Sequence, residues 1–206
     1  MPSLKLSYFD FNGGRGEVAR IAFSIGGVEF DDDRFAPRTW PERKADTLFG
    51  CVPELEVDGQ RVTQSNGINR YAGKLAGLYP EDPFQAALCD EAMDVIEEIA
   101  AEVKPTFSMK DEAQRKAARE ALVAGSVTRL FGGLGRALET REGGWFADGR
   151  LTVADLKVFL SVRHVRKGGL DHVPADLFER IAPALVDHFE RVESHPGVVA
   201  YYESRQ

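Results

Sequence analysis

The sequence predicts a small α/β domain followed by a larger all-α domain, and three observations carry that prediction. Over residues 1–78, strand-like and helix-like apolar spacings alternate. The stretch YPEDPF, 79–84, combines two prolines with two acids and reads as a linker. From 85 to 206 every apolar stripe keeps helical spacing.

Leu4, Leu6 and Tyr8 alternate with Lys5 and Ser7, the period-two pattern of a strand. Val18, Ile21, Ala22 and Ile25 then recur at three and four, so 15–26 predicts a helix stopped by Gly26-Gly27. VEFDDDRF, 28–35, reads as a second strand. A helix follows from Thr39, with Glu42 three residues later as a capping box and Pro41 in the first turn. ELEV and RVT flank Asp58-Gly59-Gln60, a hairpin around a DG turn. Gln64 to Leu78 returns to helical spacing through Ile68, Tyr71 and Leu75. A crossover unit followed by a hairpin implies a small mixed sheet with helices on its faces.

In the second domain one stripe runs Met93, Ile96, Ala100, Val103, and another Val123, Val127, Phe131, Leu134, Leu138. Thr152-Val-Ala-Asp155 is a capping box ahead of Leu156, Phe159 and Leu160. Ile181, Leu185, Phe189 and Val192 predict a late helix, broken by His195-Pro196-Gly197 before a last short one. FGGLG, 131–135, reads as close helix packing, because no strand precedes it to make a phosphate loop.

The 206 residues are 43% hydrophobic and 29% charged, an ordinary globular composition. A net charge of −7 argues against an electrostatic grip on nucleic acid. No apolar run approaches the roughly 18 residues that span a bilayer, and Lys5, Ser7 and Asp10 interrupt any signal-peptide core. Cys51 and Cys89 form no CxxC and no disulfide framework, which suits a reducing compartment, and the four histidines have no metal-ligand spacing. The expectation is a cytoplasmic protein with no metal and no membrane or nucleic-acid partner.

Ligands of such α/β domains sit at the carboxyl ends of strands, where helix N-termini point. Tyr8 lies at such an end, either as a half-buried packing residue or as a hydroxyl facing a ligand. Val52-Pro53 precedes a strand; a cis bond there would turn the Val52 backbone toward the strand ends, where an extended peptide could pair with it. Ser65 opens a helix, as a plain N-cap or as a carboxylate site. Trp40 and Lys44, four apart, share a helix face as a second carboxylate site or as packing and solvated groups. Glu97 and Glu98 follow the linker and read first as a solvated acidic face.

In their order along the chain, these residues resemble the cytosolic glutathione transferases, most closely the sigma class. The resemblance runs through KLSYFDFNGGRGEVARIAF, TWPERKADTLFGCVPELEVDG, QSNGINRYAGKLAGLYP, LTVADLKVF and SHPGVVAYYES, nearly the whole chain. It implies a thioredoxin-like N-terminal domain, an all-helical C-terminal domain, a homodimer, and glutathione as co-substrate. Tyr8 then matches the catalytic tyrosine, helped by Arg15, and Pro53 the cis-proline. Trp40 and Lys44 match positions that bind the glycyl carboxylate, and Val52 the residue whose backbone pairs with the cysteinyl unit. Gln64 and Ser65 match those that hold the γ-glutamyl carboxylate, and Glu98 an acid reaching the γ-glutamyl ammonium from the other subunit.

The reaction implied is attack of a tyrosine-stabilised glutathione thiolate on an apolar electrophile, with Phe9, Phe107 and Met109 as acceptor-pocket candidates. The alternatives are a non-catalytic ligand carrier or structural protein on the same scaffold, or a glutathione-dependent isomerase or peroxidase. The chain departs from the family pattern in a loop, FNGGRGE, one residue longer, in Glu54 on a strand, in Asn66-Gly67, and in Cys51. Cys51 reads as a bystander or as a thiol able to form a mixed disulfide with the ligand.

Overall fold

The computed structural model describes residues 2–205, and the chain divides into two compact units. One runs through Tyr79 and takes in the chain again from Pro196; the other is Pro80–His195.

The first unit is built on a four-stranded sheet of order β2-β1-β3-β4. Strands β1 (Leu4–Phe9) and β2 (Asp31–Phe35) are parallel, joined through α1 (Glu17–Ile25). Strands β3 (Glu54–Val57) and β4 (Gln60–Thr63) add antiparallel pairings, with Asp58 and Gly59 turning the hairpin at φ 49° and 81°. Both left-handed turn positions match the DG expectation. Helix α3 (Ser65–Ala76) packs on α1 behind the sheet, where Leu4, Leu6, Ile21, Phe23, Leu55 and Ile68 form the core. Gly26 allows this approach, since a Cβ there would lie 2.5 Å from the Ala76 backbone.

Two expectations in this unit are corrected. The first helix starts at Glu17, not at Arg15, because Gly13 and Gly14 hold φ of 129° and 70° and keep the chain out of helical geometry. The helix expected from Thr39 is broken into a 3-10 turn, Pro37–Thr39, a single α-turn, α2 (Trp40–Arg43), and a second 3-10 turn, Lys44–Asp46. Two prolines four residues apart remove the N–H groups a regular helix needs there.

The second unit is helical: α4 (Pro83–Val103), α5 (Glu112–Ala124), α6 (Ser126–Thr140), α7 (Val153–Arg166), α8 (Leu177–Ile181) and α9 (Pro183–Glu193). Helix α7 is the buried one, packed against α4 and α9. Its capping box forms as the sequence predicts, with Asp155 accepting from the Thr152 N–H at 2.7 Å and hydroxyl at 2.6 Å. Two apolar stripes cross breaks that periodicity alone does not reveal. Gly125 separates Val123 from the rest of its stripe, and Ala182, at φ −158° and ψ 67°, separates Ile181 from Leu185. FGGLG is close packing: a Cβ on Gly135 would lie 2.9 Å from the Ala182 side chain. The last helix, α10 (Pro196–Glu203), packs on α1 of the first unit.

Candidate active site

Strand register gathers the expected residues of the first unit. The β1–β3 ladder ends at Ser7 opposite Glu54, and the β3–β4 ladder at Glu54 opposite Thr63. One residue further along each strand come Tyr8, Pro53 and Gln64, so all three meet at the same end of the sheet. Because β2 runs parallel to β1, with Phe9 opposite Phe35, the end of β2 is also there. Trp40 follows, its indole stacked on Phe35 at 6.2 Å and edge-on to Phe9 at 5.9 Å.

Tyr8 is 6% exposed, and its hydroxyl oxygen accepts the Arg15 backbone N–H at 3.0 Å. Burial pushes the phenol above its ordinary 10.0, while the Arg15 N–H and the nearby Arg15 and Arg20 charges oppose that rise. The phenol therefore stays protonated at neutral pH and keeps its own proton to donate. Glycines make room for it. A Cβ on Gly14 would stand 2.5 Å from the Tyr8 hydroxyl, and one on Gly16 2.5 Å from the ring carbon Cγ. Neither side chain could be added without moving the tyrosine. The longer loop thus brings Arg15 to Tyr8 through its backbone.

The Val52–Pro53 peptide is cis, with Pro53 buried and Val52 half-buried. Gln64 precedes α3 at φ 70° and ψ 111°, a conformation rare for a residue with a side chain. Gln64, not Ser65, is the N-cap, and no side chain caps the helix there. Ser65 is the first helical residue, 7% exposed, in the turn where backbone N–H groups and the positive dipole end favour a carboxylate. Lys44 is exposed in the 3-10 turn after α2, its side chain running past Gly50 at 3.4 Å from where a Cβ would lie. The break in that segment means Trp40 and Lys44 do not share one regular helix face.

A cleft of about 420 Å³ opens on the opposite sheet face, lined among others by Ser7, Asp33, Arg43 and Glu54. It takes in Trp40 and Val52 but not Tyr8, Gln64 or Ser65. Several of its polar groups are engaged within the chain. Ser7 and Arg43 both donate to Asp33, at 2.8 and 2.9 Å, while Glu54 accepts the Leu48 N–H at 3.1 Å and faces Arg61 at 3.5 Å. A glutamate on β3 is thereby accommodated. Cys51 is half-buried next to Val52.

In the helical unit the acidic pair of α4 is engaged within the chain. Glu97, 34% exposed, pairs at 2.7 Å with Lys157, which is 7% exposed. Glu98 is exposed and pairs with Arg129 at 3.2 Å. Phe107 is exposed, with the Arg119 guanidinium 5.1 Å from its ring, and Met109 is half-buried.

Sequence reasoning missed Glu17 and Arg20, both fully buried at the start of α1. The available signal was an acid and a base three apart in a helix otherwise apolar up to Phe23. Arg20 binds the Phe9 carbonyl at 3.3 and 3.4 Å and lies 5.6 Å from the Tyr8 ring.

Comparison with known proteins agrees with this architecture. Residues 96–205 match the family model described as glutathione S-transferase, C-terminal domain. Glutathione S-transferase 1 of Ascaris suum is 43% identical over 107 residues, 52% of either chain. Glutathione S-transferase 2 of Manduca sexta is 32% identical over 204 residues, 99% of this chain and 97% of that protein. The solved prostaglandin synthase D of Nilaparvata lugens superposes with a TM-score of 0.87 at 30% identity, covering 100% of this chain and 99% of that one. With a family model over more than half its length and a full-length relative above 30% identity, the chain belongs to the glutathione S-transferase family.

Proposed function

We propose that this enzyme binds glutathione at the strand ends around Tyr8 and joins its thiolate to an apolar electrophile. The donor set fits the tripeptide group by group. Gln64, Ser65 and the N-terminus of α3 suit the γ-glutamyl carboxylate, the Val52 backbone the cysteinyl unit, and Trp40 with Lys44 the glycyl carboxylate. In a homodimer, Glu98 would serve the γ-glutamyl ammonium of the neighbouring subunit. Phe9, Phe107 and Met109 are the proposed acceptor-facing residues.

The observation that carries this reading is the Arg15 N–H donated into the buried Tyr8 hydroxyl at 3.0 Å. It engages a lone pair and leaves the hydroxyl proton for the glutathione sulfur. A thiol with pKa near 8.5 is only a few per cent ionised at pH 7. Lowering it by about two units takes roughly 2.7 kcal/mol. One hydrogen bond to a charged sulfur contributes about 1.5–3 kcal/mol, and the α3 N-terminus about 0.3–1 kcal/mol more. Tyr8 thus acts as a donor, not a base.

The test is retention on immobilised glutathione together with a conjugation assay. Tyr8→Phe should bind glutathione nearly as the parent does and turn over about 10²-fold more slowly, the rate equivalent of 2.7 kcal/mol. Conjugation by that variant at the parental rate would refute the assignment. A second reading, isomerisation by the same thiolate, draws on the likeness to a protein named as a prostaglandin synthase. Formation of a prostaglandin without net consumption of glutathione would favour it.

A further inference from the structure

Glu17 and Arg20 are entirely excluded from water, and a carboxylate or guanidinium so placed costs several kcal/mol unless its partners are well arranged. One Glu17 oxygen accepts the Tyr201 hydroxyl of α10 at 3.0 Å, across 184 positions of sequence. The second oxygen of that carboxylate lies 3.5 Å from Arg20. Arg20 in turn donates to Asp32 at 2.8 Å and to the Phe9 carbonyl. The other Asp32 oxygen receives Arg34 at 2.8 Å and Arg205, just beyond α10, at 3.0 Å.

Phe9 adjoins Tyr8 at the start of the loop that delivers the Arg15 N–H to it. Its carbonyl is held by Arg20, whose carboxylate partners Glu17 and Asp32 are engaged by Tyr201 and Arg205 from the C-terminal end of the chain. Stability alone would not call for this arrangement: buried ionic clusters are often replaceable by apolar side chains at no loss. Val198 and the Tyr201 ring already provide an apolar docking surface for α10. What the charged cluster adds is an anchor on the backbone next to the tyrosine.

We propose that α10 is a positioning element for Tyr8, and that Tyr201 acts on the reaction by fixing Glu17, which together with Asp32 fixes Arg20 against the Phe9 carbonyl at the start of the loop. This rests on the reading of Tyr8 as the donor to the glutathione sulfur. The charged and titratable groups around the Glu17–Tyr201 contact are Arg20, Asp32, Arg34, Arg205 and Tyr202. Burial and the adjacent Glu17 carboxylate push the Tyr201 phenol far up, so it remains a donor across the working range. Without that donor, Glu17 relaxes its hold on Arg20 and Arg20 its hold on the Phe9 carbonyl, the Arg15 N–H shifts against the Tyr8 oxygen, and the thiolate loses stabilisation.

The experiment is a double-mutant cycle on the full chain, with glutathione and chlorodinitrobenzene as substrates, over pH. Tyr201→Phe keeps the ring and should raise the pH midpoint of kcat/KM by about half a unit. That is roughly a threefold loss of rate below the midpoint, and KM for glutathione should hold steady. In the Tyr8→Phe background it should cause no further loss, since its effect passes through Tyr8. An unchanged midpoint, or the same fold-loss in both backgrounds, would overturn the proposal while leaving the Tyr8 reading intact. Tyr8→Phe at the parental rate would overturn both. If Tyr201→Phe does not fold, the same readouts on Glu17→Gln decide, because the neutral amide removes the charge that faces Arg20.

Discussion

Asp155 in the helical unit and Glu17 in the sheet-containing unit are both fully buried carboxylates, yet their donors come from very different distances along the chain. Asp155 receives Thr152 three residues away and the Phe146 N–H nine away, at 2.9 Å; only His188, also at 2.9 Å, is remote. Glu17 depends on Tyr201, 184 positions away, with Arg20 3.5 Å from its other oxygen. A carboxylate satisfied mainly by its own helix start secures that helix. One satisfied from a distant helix couples that helix to its own. Burial of charge is common to both sites, and the reach of the partners separates a folding role from a positioning one.

The largest expected effect breaks the local member of the pair. Asp155→Ala leaves the Thr152 and Phe146 N–H groups and His188 without their acceptor in a dry interior. Removing one partner from such a cluster costs about 3–5 kcal/mol, read as a lower midpoint in urea unfolding. A loss under about 1 kcal/mol would mean that water or rearrangement replaces the cap.

Next comes Gly16→Ala, which tests whether the Tyr8 pocket tolerates displacement. Gly16 has φ −81°, so alanine is not strained by backbone conformation, and the contact with the Tyr8 ring is the only conflict among its nearest neighbours. Conjugation should fall at least about tenfold, because misplacement near 1 Å can cost two orders of magnitude. Stability should drop by about 1–3 kcal/mol from overpacking. Full activity in a folded variant would show that Tyr8 has more freedom than its glycine cradle implies.

The smallest effect sharpens the contrast through pH. Burial raises the Glu17 carboxyl above its ordinary 4.5, outweighing Gly13, Tyr201 and Arg20. Between the unfolded and folded values the folded chain binds the proton more tightly, so this group's contribution to stability declines as pH climbs through that window. Glu17→Gln has no such titration. Its stability relative to the parent should therefore increase from about pH 4.5 upward, in paired thermal unfolding series. A constant difference would place the Glu17 carboxyl at its ordinary value.

Much of the fold was readable one element at a time. The Asp58-Gly59 hairpin, the Thr152–Asp155 box and the break at Pro196 each depend on residues within a turn of one another, and each appears where local chemistry sets it. The candidate site was readable as residue types, since Tyr8, Val52-Pro53 and Gln64-Ser65 all stand at strand ends. Their convergence needed the register Ser7–Glu54–Thr63. Two stripes mislead for one reason: apolar periodicity passes unchanged through Gly125 and Ala182, because a break in backbone direction need not interrupt the spacing of side chains. The broken α2 has a different source: Pro37 and Pro41, each tolerated in a first turn, together remove the N–H groups that one regular helix needs.

Composition, turn residues and caps dictated which segments became strands or helices, in what order, and which polar residues stood at the strand ends. These follow from interactions between residues two to four positions apart, present in any chain with this order of side chains. Chain closure alone determined that Glu17 and Arg20 are buried, that α10 rests on α1, and that Tyr201 meets a carboxylate at the far end of the sequence. Such contacts bring together groups too distant for any periodic pattern to register, and they exist only once the sheet and its helices have packed.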